Sequence, residues 1–173
     1  QLYGRPCTHV GGSVGLLEVV VEARARNLGF PLLLRCVDLL RQRGESINRA
    51  FQSAISEFDY RKSYRGVFPV KVNQLRDVIE EIVDAGEQFH FGLEAGSKPE
   101  LVAALAMQKG SESLIICNGY KDPAFIRMAL LGRKLGKPVI VVAEKLEEVE
   151  QTIRASKEVG VEPSVVIRAR LYS

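Results

Sequence analysis

The sequence contains little of what disulfide-stabilised, metal-binding or membrane proteins are built from. Among its 173 residues are three cysteines and two histidines, and tryptophan is absent. An odd number of cysteines without CxxC spacing argues against a disulfide framework and a zinc site, and favours a reducing cytoplasm. No apolar run approaches the roughly 20 residues of a bilayer-spanning helix, and the first ten residues lack a signal-peptide pattern. We expect a cytoplasmic protein without a membrane partner, in which Cys36 and Cys117 pack as small buried side chains.

The charge balance excludes two further classes. Lysine plus arginine minus aspartate plus glutamate gives 24 − 21 = +3, which is too small an excess for charge-driven disorder. Nucleic-acid binding usually requires clustered basic residues, so no nucleic-acid partner is expected. The hydrophobic share of 46% is ordinary for a folded domain. The chain therefore has the composition of one globular domain, or of a large part of one.

Short apolar runs alternate with segments of helical periodicity through the last two thirds of the chain. Helices are also predicted upstream, over 16–26 and 37–58. Glycines follow the four later helical segments and are predicted to end them in the left-handed conformation: Gly86, Gly110, Gly136 and Gly160. Strands are predicted at 66–72, 88–93, 113–117, 138–143 and 164–171, with an earlier one at 30–36.

Most of these strands are continuously apolar, which is typical of a parallel sheet with covered faces. We expect an α/β fold and favour a partial (β/α)8 TIM-type barrel, with a doubly wound sheet as the alternative. The predicted strands are fewer than the eight that close a barrel. The chain is therefore expected to be a fragment of a longer protein.

Ligands bind at the carboxyl ends of the strands in parallel α/β folds, so the polar residues there are the candidate site. Lys71 lies between apolar neighbours, and a desolvated, neutral amine is a nucleophile that forms Schiff bases. A lysine that snorkels to water is the alternative. Glu94 could face Lys71 or lie in a loop near a helix start. Arg168 lies in an apolar strand and requires an anionic partner, from the protein or from a ligand.

Three segments around these residues closely resemble the biosynthetic arginine decarboxylases, which have the alanine-racemase-like pyridoxal-phosphate fold. The segments are VFPVKVNQ at 67–74, HFGLEAGSKPEL at 90–101 and ICNGYKD at 116–122. Shorter matches occur at 33–35, 131–136 and 166–171. The likeness covers residues 11 to 173.

The resemblance implies a barrel followed by a β-domain, in a homo-oligomer that is a dimer or larger. Lys71 matches the lysine that carries pyridoxal 5′-phosphate as an internal aldimine; Glu94 matches an acidic residue close to it, and Arg168 an arginine near the cofactor. The implied reaction converts L-arginine to agmatine and CO2 in putrescine and spermidine biosynthesis. Magnesium is implied by the resemblance alone, and no residue spacing indicates a metal site.

On this interpretation residues 1–29 precede the barrel and residues 30–173 form an incomplete pyridoxal-phosphate-binding domain. The chain alone is expected to be inactive, because a phosphate-binding loop, a partner for the pyridine nitrogen and a C-terminal domain are not recognisable in it. Two alternatives stay open. One is a non-catalytic, decarboxylase-like barrel that regulates or binds a partner, and the other is a Schiff-base lyase that uses Lys71 without this cofactor.

Overall fold

Strands and helices alternate regularly along most of the chain. The computed structural model describes residues 15–169, apart from the side chain of Val37. Within them the helices are α1 Leu16–Ala25, α2 Val37–Glu57, α3 Arg76–Gly86, α4 Lys98–Met107, α5 Pro123–Lys134 and α6 Leu146–Val159. The strands are β1 Val67–Pro69, β2 Gly92–Ala95, β3 Ile115–Cys117, β4 Val139–Ala143 and β5 Val165–Ile167. Short 3-10 turns occupy Val70–Val72 and Glu87–Phe89.

The five strands form one parallel sheet whose spatial order is the order of the chain, β1-β2-β3-β4-β5. A doubly wound sheet reverses its strand order at a switch point, and no reversal occurs among the described strands. Successive right-handed βα units in one direction are the construction of a TIM-type barrel. The predicted α/β fold, a partial (β/α)8 barrel, is therefore confirmed, and the doubly wound alternative is wrong.

The core lies between the sheet and its helices. Since every crossover runs the same way along the sheet, right-handed connections place the helices on one face. Alternate strand residues are fully buried against that layer, and helix residues such as Leu101 and Ala129 meet them there. The strand members of this cluster are Leu93, Ala95, Ile115, Cys117, Val139 and Val141. Residues between them, such as Glu94 and Ile116, belong to the opposite face of the sheet.

Four predicted strands differ markedly from the structure, and one of these, predicted at 164–171, ends at Ile167. Residues 30–36 have no strand; Pro31 cannot donate a ladder hydrogen bond and Leu33 is 84% exposed, so nothing pairs with this segment. The strand predicted at 66–72 ends at Pro69, because proline has no N–H to donate to the ladder of hydrogen bonds. The strand predicted at 88–93 begins only at Gly92, because His90 adopts a left-handed φ of 54° after a 3-10 turn.

Side-chain caps mark the starts of α4 and α5, and two of the four predicted glycines mark helix ends. Ser97 accepts a hydrogen bond from the backbone N–H of Glu100 at 3.4 Å, and Asp122 accepts one from Phe125 at 2.8 Å, as N-terminal helix caps do. Gly136 and Gly160 have positive φ as expected. Gly86 and Gly110 do not have a positive φ, and Gly86 is instead the last residue of α3.

The helices are those of a layered α/β protein. In the part of the chain that the structure describes, none combines the length and the apolar composition that a bilayer crossing requires.

Candidate functional site

The carboxyl ends of β1–β5 meet at one edge of the sheet, because all five strands run parallel. We call this edge, with the loops that follow the strands, the mouth. Loops at this edge are where parallel α/β proteins place their ligands. The predicted residues Lys71, Glu94 and Arg168 all belong to it: Glu94 is near the end of β2, and Lys71 and Arg168 follow β1 and β5.

Lys71 lies in the 3-10 turn that follows β1. Its side chain is exposed, and its neighbour Val72 is 68% exposed. The expectation of a dry pocket around this amine is therefore wrong for the described residues. The reason is local: β1 ends at Pro69, and the turn carries Lys71 beyond the sheet to its carboxyl edge. The amine is nevertheless at the mouth, where a ligand can reach it.

Glu94 is a buried carboxylate without a partner. It is 4% exposed, and neither carboxylate oxygen has a hydrogen-bond partner among the described residues. A buried unpaired charge is costly, so such a group requires a cation or a proton donor. Its register partner is Pro69 on β1, and Lys71 lies two residues further along. The structure therefore brings Lys71 and Glu94 to adjacent strand ends.

Arg168 lies directly after β5 and is not brought next to Lys71, since β2, β3 and β4 lie between β1 and β5. Its guanidinium contacts Glu144 Oε1 at 3.4 Å, and its side chain is 54% exposed. The prediction that this arginine is internal to the strand is wrong, because β5 ends at Ile167. The required carboxylate partner is present in Glu144, which is 8% exposed in its side chain.

Sequence reasoning missed a buried ion pair beneath these loops. Lys121 lies in the polar segment NGYK, whose composition is typical of a turn, yet its side chain is fully buried and lies 3.5 Å from Glu148 Oε2. Glu148 belongs to α6 and is also almost fully buried. The sequence contains a signal for the burial of Glu148, because it shares one helical face with Thr152 and Val159. All three residues are buried in the structure.

The environment of Glu148 controls its ionisation. Burial alone would raise the pKa of Glu148, but hydrogen bonds from the backbone N–H groups of Glu144 and Lys121, with the Lys121 charge, bring it below its ordinary value of 4.5. The Glu148 carboxylate is therefore ionised at neutral pH, beside the buried side chain of Lys121.

Cys117 is chemically inert in this environment. Burial raises the pKa of the Cys117 thiol to about 12, against the opposing charge of Lys121 and with a small contribution from Glu94. Since the thiolate is the reactive form of cysteine, Cys117 does not provide a nucleophile. The sequence prediction of a packing role for this residue is confirmed.

Charged and aromatic groups surround the mouth at its rim. Lys98 Nζ lies 2.5 Å from Asp122 Oδ2, and this contact, followed by the Phe125 N–H, lowers the pKa of Asp122. Lys145 lies 4.3 Å from the centroid of the Tyr120 ring. These contacts connect the loops after β2, β3 and β4.

A groove of about 750 Å³ lies between α3 and α4 and reaches the loops after β1 and β2 at Gln74 and Ser97, but its lining includes none of the predicted site residues. Within residues 15–169 no cluster of histidine, cysteine, aspartate and glutamate could hold a metal ion. The three predicted site residues contribute an amine, a buried carboxylate and a guanidinium to the mouth.

Comparison with known proteins gives a consistent result. Residues 44–172 match the family described as "Pyridoxal-dependent decarboxylase, pyridoxal binding domain". The biosynthetic arginine decarboxylase of Parasynechococcus marenigrum (strain WH8102) is 50% identical over 163 residues, which cover 94% of this chain and 25% of that protein. The corresponding protein of Bacteroides thetaiotaomicron is 44% identical over 163 residues, covering 94% of this chain and 26% of that protein.

A solved structure is also similar. The crystal structure of the biosynthetic arginine decarboxylase SpeA from Campylobacter jejuni matches with a TM-score of 0.85 and 33% sequence identity, over 92% of this chain and 27% of that chain. The chain thus spans about a quarter of the length of the relatives it matches.

Proposed function

Because the chain belongs to the pyridoxal-dependent decarboxylases, whose pyridoxal-binding domain it matches, we propose that it forms the cofactor-lysine part of an arginine decarboxylase. The complete enzyme converts L-arginine to agmatine and CO2 and supplies putrescine and spermidine biosynthesis. Relatives named biosynthetic arginine decarboxylase, at up to 50% identity over most of this chain, support the substrate.

The observation that carries the proposal is the placement of Lys71 and Glu94 at the carboxyl ends of neighbouring strands. Lys71 presents an accessible amine at the mouth, and Glu94 presents a buried carboxylate that has no partner in the described residues. An amine that bonds covalently to an aldehyde needs a nearby group to hold its charge and direction. Glu94 supplies this role for Lys71, and these residues fit pyridoxal phosphate on that ground.

Arg168 supplies a positive charge on the opposite side of the mouth. A guanidinium forms planar, paired hydrogen bonds with phosphate or carboxylate oxygens. Its contact with Glu144 leaves the side chain 54% exposed, so other donors of the same group are accessible to an anion. We assign Arg168 to the anionic part of the cofactor.

Bound pyridoxal phosphate would supply an electron sink for the electrons released when CO2 departs. The residues of this chain act around that chemistry. Lys71 would hold the cofactor through its ε-amine. Glu94 would accept a hydrogen bond from the Lys71 amine and so keep it beside the mouth.

A non-catalytic barrel is the second candidate that the sequence left open. It is not favoured, because the lysine, the buried carboxylate and the family match all occur together. A Schiff-base lyase without pyridoxal phosphate is disfavoured by the same family match.

The test uses the complete protein that carries this chain. After incubation with pyridoxal phosphate and reduction with borohydride, peptide mapping should locate the modified lysine at Lys71. Lys71→Ala should lose the visible absorbance of the bound cofactor and at least ~10³-fold in decarboxylation rate, since covalent catalysis depends on this amine. Lys157→Ala, an exposed lysine in the last turn of α6, is the matched control and should retain both.

Substrate choice is measured in the same preparation as CO2 release from arginine, ornithine, lysine and diaminopimelate. Cofactor incorporation at Lys71 without release from arginine would show that the substrate is wrong. Absence of cofactor incorporation would show that the class is wrong.

A further inference from the structure

The buried pair Lys121–Glu148 takes no part in the chemistry of Lys71. A gain in the stability of the fold does not by itself explain why this pair is buried. Removing two charges from water is costly, and well-packed apolar residues of similar volume are often at least as stable. A buried pair of this kind is better understood through the groups that it orients. In this structure those groups are the loops of the mouth.

The pair contacts the backbone of three neighbouring segments. The Lys121 ammonium donates to the carbonyl oxygens of Gly119 and Val142, in the loop after β3 and near the end of β4. Glu148 accepts the N–H of Lys121 at 2.8 Å through one oxygen, and the N–H of Glu144 at 2.8 Å through the other. Two side chains thereby tie the loops after β3 and β4 to α6.

Glu144, which follows β4, is hydrogen-bonded both to the loop after β3 and to α6. Glu148 fixes the backbone of Glu144, and Gly119, whose carbonyl is held by Lys121, donates its N–H to Glu144 Oε1 at 3.1 Å. Gly119 has a φ of +73°, which glycine adopts without strain. The same Oε1 atom accepts from Arg168 at 3.4 Å. A continuous series of hydrogen bonds therefore leads from the buried pair to the guanidinium.

We propose that Lys121 and Glu148 form a positioning pair that fixes the Glu144 carboxylate and, through it, the guanidinium of Arg168 at the mouth. The role of Arg168 toward pyridoxal phosphate rests on the proposed function above. The pair does not touch the cofactor. It determines where the cation that receives the anionic group of the cofactor is held.

The first test measures pyridoxal phosphate affinity in the complete protein. Two variants break the series at different points, namely the double variant K121M/E148Q, which removes both buried charges together, and Glu144→Gln at the end next to Arg168. Each should weaken binding roughly tenfold or more, as expected for loss of a hydrogen bond to a charged group. Unchanged affinity in both variants would overturn the proposal.

The second test distinguishes positioning from general destabilisation. If the pair acts through Arg168, the K121M/E148Q change should cause no further loss of affinity in an Arg168→Ala background. Equal losses in both backgrounds would show that the pair acts elsewhere. Thr152→Val is the matched control, because buried Thr152 donates to the Glu148 carbonyl and leaves the carboxylate contacts in place. It should lower thermal stability without lowering affinity, and an equal loss of affinity would contradict the proposal.

A third measurement does not depend on the cofactor. The amides of Gly119 and Glu144 should exchange with solvent at least roughly tenfold faster in K121M/E148Q than in the parent protein, because their acceptors are no longer held. Failure of the protein to bind pyridoxal phosphate would refute the proposed function only. Unchanged exchange of both amides would refute the positioning role, whatever the cofactor does.

Discussion

The lysines of the mouth differ chiefly in their burial. Lys71, Lys98 and Lys145 are exposed, whereas the Lys121 ammonium is enclosed by two carbonyl oxygens and a carboxylate. An amine whose three donors are occupied is not available to a carbonyl compound. Lysine therefore provides an accessible amine after β1, at Lys71, and a buried ion-pair partner after β3, at Lys121.

The cysteines show the same effect of burial on reactivity. Cys36 was predicted to be buried but is exposed, and Cys117 is fully buried with a pKa of about 12. In a Cys7→Ser background we expect an aromatic disulfide reagent to label Cys36 rapidly and Cys117 only when the protein unfolds. The measurement is the number of thiols released before and after addition of denaturant. Rapid labelling of Cys117 in the folded protein would contradict its burial.

At the scale of single elements, β2 requires a residue without a side chain at its start. A Cβ atom on Gly92 would lie 2.0 Å from the Leu114 carbonyl oxygen, which is backbone of the segment before β3. Leu114 also accepts a hydrogen bond from Leu93 at 2.9 Å. The close approach of β2 and β3 therefore depends on glycine here.

Gly92→Ala should consequently destabilise the protein by at least ~2 kcal/mol, in the range of the larger single-residue effects on stability. Gly44→Ala is the matched control, since Gly44 lies inside α2 with no atom within 4 Å of its added Cβ. It should raise stability by about 0.5–1 kcal/mol, because alanine favours a helix interior. Chemical denaturation measures both, and equal effects of the two changes would contradict the crowding at Gly92.

For the molecule as a whole, parallel strands in chain order determine which residues can meet. Glu94 lies in β2 and Lys71 follows the neighbouring strand β1, whereas Arg168 reaches the mouth from β5. The loops between them are joined by side chains, including Lys98–Asp122 across the loops after β2 and β3 and Lys121–Glu148 across those after β3 and β4. Side-chain pairs thus connect one βα unit to the next along the mouth.

The stability of the molecule should decrease in acid through Glu148. Because its pKa is lowered in the folded state, the unfolded chain binds more protons, and the free energy of unfolding rises with pH. This contribution is fully present above the ordinary value of 4.5 and is lost as pH falls through the lower pKa of the folded state.

Denaturant titrations over the acid range measure this contribution. The pH dependence of the free energy of unfolding should be weaker in K121M/E148Q than in the parent protein. Glu150→Gln, on an exposed position of the same helix, should keep the parental dependence. An identical slope in the double variant would show that the pair does not contribute.

The amino-acid sequence by itself determined the repeating βα pattern, the capped starts of α4 and α5 and the chemistry-bearing residues Lys71, Glu94 and Arg168, because periodicity and capping are local properties. It also carried the family likeness in segments that include all three. The sequence did not determine the true start of β2, the exposure of Lys71 or the partner of Arg168. Those depend on which strands become neighbours, and Lys121 meets Glu148, 27 residues later, only because β3 and β4 pair in parallel and bring α6 beneath the loop. Contacts between distant residues are set by tertiary packing, so only the three-dimensional structure decided them.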